Sequence, residues 1–131
     1  MTTEYIEITT RTDNPWVKGP VVQVCRDKAE AAAVKVRDLC ESLKDREFKA
    51  SWDYDPAVHE VLNEVLPTVD DDRWVALAAV VRVLGEMVKE DGCFNDWYAG
   101  PTAAFRSCRC LLAYTTPGFL EARRNAVMAN N

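Results

Sequence analysis

The apolar positions along this chain change period several times, and each change marks an element. From Glu4 to Arg11 they alternate, with Ile6 and Ile8 on one side and Glu7 and Thr9 on the other. Period two with β-branched residues predicts a half-buried strand. Residues 12–20 hold Asp13, Asn14, Pro15, Gly19 and Pro20, which is turn chemistry. Val21 to Cys25 reads as a second strand. Together they predict a hairpin whose long loop displays Trp16.

From Asp27 the period becomes helical. Asp27 caps a helix starting at Lys28. Ala29, Ala32, Ala33, Val36, Leu39, Cys40 and Leu43 then form one stripe. Alternation returns at Glu47 to Tyr54, where Phe48, Ala50, Trp52 and Tyr54 face opposite to Lys49, Ser51 and Asp53. This segment is expected to be the third strand of the sheet, because two strands alone are marginal. Asp55-Pro56 opens a helix with the stripe Val58, Val61, Leu62 and Val65, expected to end at Pro67.

Asp70, Asp71 and Asp72 precede a stretch from Trp74 to Val88 that is apolar almost all round. Acids suit the positive end of a helix dipole. A helix apolar on most sides is expected to be enclosed on most sides, so this one is read as central, with Gly92 ending it. After a loop holding Phe94, Trp97 and Tyr98, Gly100-Pro101 opens a helix to about Tyr114. Thr116-Pro117 opens the last, to about Met128. The expected class is α+β, one domain over 1–131. A small N-terminal three-stranded antiparallel sheet (ββαβ) precedes a C-terminal helical bundle built on a central buried helix.

Composition narrows the classes. Of 131 residues, 48% are hydrophobic and 28% charged, which suits a soluble globular domain. No run approaches the ~18 apolar residues of a membrane span, and residues 1–10 lack the basic start of a signal peptide. Five cysteines in no regular spacing predict reduced thiols and a cytoplasmic location. Net charge is −5, and residues 51–100 hold eleven acids against three bases. An acidic middle disfavours nucleic acid and anionic membrane, and favours a protein partner with a basic surface.

The candidate chemistry is thin. Cys108 and Cys110 are two apart, so neither helix nor strand brings both sulfurs to one metal; Cys108 is expected to face the core and Cys110 to be less buried. Cys25 sits where a strand gives way to a helix, and the nearby Asp27 argues against an activated thiolate. No glycine-rich phosphate loop and no nucleophile elbow is present. Two minor alternatives remain. One is a small metal-assisted hydrolase using Asp53, Asp55 and His59. The other is a nucleic-acid-binding module using Arg106, Arg109, Arg123 and Arg124 on the last two helices.

The favoured expectation is a non-enzymatic protein-binding or inhibitor protein without cofactor or metal. Its partner-binding residues are expected to be Trp16, Asp70, Asp71, Asp72, Glu90, Asp96, Trp97 and Tyr98. One form of this is a phage or mobile-element anti-defence protein, such as an anti-CRISPR, that blocks a basic nucleic-acid-binding groove.

Overall fold

A computed structural model describes residues 4–12, 14, 16–43, 55–90 and 100–115. The order is β1 (Tyr5–Thr9), β2 (Val21–Cys25), α1 (Arg26–Leu43), α2 (Asp55–Val69), α3 (Arg73–Glu90) and α4 (Gly100–Thr115). The fold is α+β and mostly helical. β1 and β2 pair antiparallel, in a register that sets Glu7 opposite Gln23. The segment 47–54, expected as a third strand, and the helix expected from Thr116 lie outside the described residues. The sheet is two-stranded among the described residues.

The hairpin is stabilised by what it rests on. Ile6, Ile8 and Val24 share one face and are buried with the helices' apolar residues in a single core. The helical part of that core runs along the expected stripes: Ala29, Ala32, Ala33, Val36, Cys40 and Leu43 of α1, and Val58, Leu62 and Val65 of α2. The alanine-rich stripe of α1 lets neighbouring backbones approach closely. α3 packs most extensively on α4 and then on α1, and α1 also meets α2 and α4. No helix among the described residues is long and apolar enough to cross a membrane.

Three expectations need correction. α1 begins at Arg26, two residues earlier than the Asp27 cap implied, with no loop after β2. The Arg26 amide, an orphan donor of the first turn, is taken by the carbonyl of Glu4 at 2.9 Å. α2 runs through Pro67 to Val69. Proline removes one hydrogen bond there, but its ring is on the exposed side while Leu66 and Val69 are buried. The hydroxyl of Thr68 donates to the Val65 carbonyl and the amide of Asp70 to that of Leu66, so the last turn keeps its partners.

The third correction concerns α3. It buries Val75, Ala76, Leu77, Ala79, Val80, Val83 and Leu84, but the stripe Trp74, Ala78, Val81, Gly85 is only half-buried and Arg82 is exposed. The helix is enclosed along one side and only half-covered along the other. Gly85 is part of this seam. A Cβ there would meet Cε2 of Phe105 at 3.2 Å, so the glycine lets the α4 ring lie close.

Candidate functional site

The loop between β1 and β2 is short of apolar residues to bury, so hydrogen bonds define its shape. The Thr10 hydroxyl donates to the Pro20 carbonyl at 2.6 Å, and the amide of Gly19 donates to the carbonyl of Thr10 at 2.8 Å. Gly19 is required by this approach, since a Cβ would lie 2.4 Å from Oγ1 of Thr10 and 2.8 Å from its carbonyl oxygen. Asn14 Oδ1 accepts from the amide of Trp16 at 3.0 Å, a side-chain-closed turn. The carbonyl of Asn14 accepts from the amide of Val17 at 3.0 Å. This framework holds Trp16 89% exposed and Val17 52% exposed.

The loop is tied to the start of α3. The guanidinium of Arg11 lies 5.2 Å from the ring centre of Trp74 and 3.7 Å from a carboxylate oxygen of Asp72. Asp72 is the N-cap of α3, with Oδ1 accepting from the amides of Trp74 at 2.9 Å and Val75 at 3.3 Å. Asp70 Oδ1 in turn accepts from the amide of Asp72 at 2.9 Å. Between loop and helix is a cavity of about 170 Å³, lined by Thr10, Arg11, Val17, Lys18 and Trp74 among others.

Of the residues singled out in the sequence, Asp70, Asp71 and Asp72 lie directly before α3, and the loop that carries Trp16 reaches Asp72 through Arg11. Asp71 is exposed with no structural duty among the described contacts. Glu90 is exposed at the other end of the 18-residue α3, about 27 Å away at 1.5 Å per residue. Asp96, Trp97 and Tyr98 lie outside the described residues. Charge at the acidic turn is lower than its sequence suggests, because Arg11 pairs with Asp72 and Arg73 follows directly.

Of the hydrolase residues, Asp55 and His59 are described, on the first turns of α2. Asp55 Oδ1 accepts the buried Ser107 hydroxyl at 2.5 Å across the α2–α4 seam, while His59 is exposed one turn on and Asp53 lies outside the described residues. No group of three metal-ligating side chains occurs among the described residues. Two thiols lie nearby, Cys40 on α1 and Cys108 on α4. Burial pushes the Cys40 thiol up to about 12, with the Asp55 carboxylate adding to it. Cys108 is also raised, by burial first and then by Cys40 and Asp55. Such thiols are inert rather than nucleophilic. Cys108 is fully buried and Cys110 exposed, as the sequence implied. Of the basic candidates, Arg109 lies over Phe105, 5.9 Å from its centre; Arg123 and Arg124 lie outside the described residues.

Sequence reasoning missed a broad concavity on this side of the molecule. A groove of about 970 Å³ runs between β1 and the half-covered stripe of α3, with Trp74, Val81 and Phe105 in its wall. Its charged groups are organised. Arg26 makes a two-pronged contact with Glu86, Nη1 to Oε2 at 2.8 Å and Nη2 to Oε1 at 3.2 Å, and also meets Glu30 and Glu4. That hydrogen bond holds the Glu86 carboxyl below its usual range and raises Arg26 further. Arg82 donates to the carbonyl of Glu7 at 2.8 Å. The signal was present in the sequence as Trp74, Ala78, Arg82, Gly85 and Glu86 on one helical stripe, but a helix apolar elsewhere masked it. Compared with known proteins, the chain matches no family model, no curated protein sequence and no solved structure, and its chemistry has to be read from this geometry.

Proposed function

We propose that the chain is a non-enzymatic protein-binding module, and that it docks through the end where the β1–β2 loop meets the acidic turn before α3. The observation that carries this reading is Trp16, an indole 89% exposed on a loop held by its own hydrogen bonds. A large apolar ring left in water has no folding benefit. A loop already held in shape loses little backbone freedom on binding, and tryptophan is among the residues most enriched as energetic anchors of interfaces. Val17 enlarges the apolar tip, and Asp70 and Asp71, in the turn that the loop reaches through Arg11 and Asp72, supply negative charge. The complementary surface is an indole-sized pocket with basic groups at its rim. A groove built to hold a phosphate backbone has that charge, so an inhibitor that occupies one, as an anti-defence protein of a phage or mobile element would, is a specific form of the proposal. Glu90, at the far end of α3, is left out of this surface.

The test is affinity capture from the native host with the intact protein, followed by titration of the captured partner. Trp16→Ala is expected to weaken binding by about 2 kcal/mol or more, the range of an anchor residue. Asp71→Lys is expected to slow association and to lessen its salt dependence. A partner bound equally well by both variants ends the proposal, as does failure to capture any.

A further inference from the structure

The outer edge of β1 points to a second binding site, which does not use Trp16, Val17, Asp70 or Asp71. In the β1–β2 ladder the amide of Thr10 donates to the carbonyl of Pro20 and the amide of Arg26 to that of Glu4. With Glu7 opposite Gln23, the bonded positions of β1 are therefore the even-numbered ones. Antiparallel pairs alternate, so Tyr5, Glu7 and Thr9 turn their N–H and C=O groups away from β2. The bond from Arg82 to the Glu7 carbonyl confirms that direction, because that guanidinium comes from α3. Among the described residues no strand pairs with this edge. The edge spans five residues, about 17 Å, and the groove of about 970 Å³ lies along it.

The chemistry of the walls selects an occupant. A second copy of the chain fits poorly, since the self-pairing that uses Tyr5, Glu7 and Thr9 together sets Glu7 against Glu7, and like charges directly opposed are unfavourable. The α3 wall supplies apolar surface from Trp74, Val81 and Phe105, and small residues, Ala78 and Gly85, that leave room. Of the cations lining the groove, Arg26 is held by Glu86, while Arg82 and Lys89 are exposed at its rim. We infer that this groove takes an extended segment of a partner protein, added to β1 as a third strand, with alternate apolar side chains against α3 and a carboxylate directed to Arg82 and Lys89. Strand addition of this kind draws affinity from main-chain hydrogen bonds and specificity from alternate side chains. On binding, the Glu7 carbonyl exchanges the Arg82 guanidinium for a peptide N–H, and the guanidinium turns to the carboxylate.

The probe is a blocked seven-residue peptide alternating valine with threonine and carrying a central glutamate, with a lysine analogue beside it. Binding is followed by NMR titration, and by hydrogen exchange at the amides of Tyr5, Glu7 and Thr9. Glu7→Pro removes the outward N–H without breaking a ladder bond, because Glu7 and Gln23 form a non-bonded pair, and Glu7→Gln controls for the lost charge. The expected results are slowed exchange at those three amides, binding at least about tenfold weaker for Glu7→Pro, and preference for the lysine analogue in Arg82→Glu. Trp16→Ala is expected to leave this affinity unchanged, which separates the site from the one proposed above. If Glu7→Pro does not fold, the same bond is removed by N-methylating the peptide. Equal binding after loss of that bond, equal affinity of both peptides for the unaltered protein, or a Kd weaker than about 1 mM overturns the inference.

Discussion

The two thiols in the seam between α1 and α4 make the protein sensitive to alkali, by an amount that follows from their burial. Cys40 holds its proton up to about pH 12, and Cys108 is shifted in the same direction. In the unfolded chain a thiol loses its proton near pH 8.5. Below that pH both states are protonated and the full stability is present. Above it the unfolded chain binds fewer protons than the folded one, so stability falls as pH rises. The slope is about 1.36 kcal/mol per pH unit for each thiol. From pH 8.5 to pH 10 that amounts to about 2 kcal/mol for one and about 4 kcal/mol for both, against a total of 5–15 kcal/mol typical of a domain. Urea unfolding at half-unit steps over this range measures it. The double variant Cys40→Ala, Cys108→Ala starts lower, because it leaves small cavities, but its stability is expected to be nearly flat with pH. Cys110→Ala, at an exposed position, is expected to keep the wild-type slope. Parallel losses in the wild type and the double variant would refute the reasoning.

Three further outcomes are expected. Asp72→Ala removes the α3 cap and the Arg11 ion pair, and is expected to cost about 1 kcal/mol in urea denaturation, while Asp71→Ala leaves the midpoint within error. Gly100→Ala puts a side chain at φ 55° and within 3.0 Å of a Glu41 carboxylate oxygen; thermal unfolding is expected to show a loss of about 1–2 kcal/mol, the cost of the left-handed backbone. Pro67→Ala restores a helical N–H on the exposed side of α2, and chemical denaturation is expected to show a gain of about 1 kcal/mol, because the restored bond exceeds the added freedom of the unfolded chain.

Much of the architecture was written in periodicity. Ile6 and Ile8 on β1, the stripe ending at Cys40 and Leu43 on α1, and the Asp55-Pro56 start of α2 were legible because local spacing and burial agree there. Pro67 misled, since the rule that proline stops a helix weighs a lost hydrogen bond but not the anchoring of Leu66 and Val69 beyond it. α3 misled for the opposite reason. Trp74 and Val81 are apolar, and their spacing cannot say whether a neighbouring element covers them or stops short. Of the candidate site, Trp16 was legible from its turn-rich surroundings. Its link to the acidic turn was not, because Arg11 and Asp72 are far apart in sequence and meet only when the hairpin lies along α3. The edge of β1 depended on strand register, which no single-strand pattern contains.

The absence of any connecting residue between β2 and α1 has a mechanical result. At this joint one backbone passes directly from pleated to helical geometry, and Arg26 ties Glu4 before the hairpin to Glu30 and Glu86 on two helices. One inserted residue would turn α1 by about 100° about its axis and carry Ala29, Ala33 and Val36 out of the core. Junctions between elements ordinarily tolerate changes of length. This one is as length-sensitive as a core position, and the hairpin behaves as a rigid extension of the helices whose aim is fixed at Arg26.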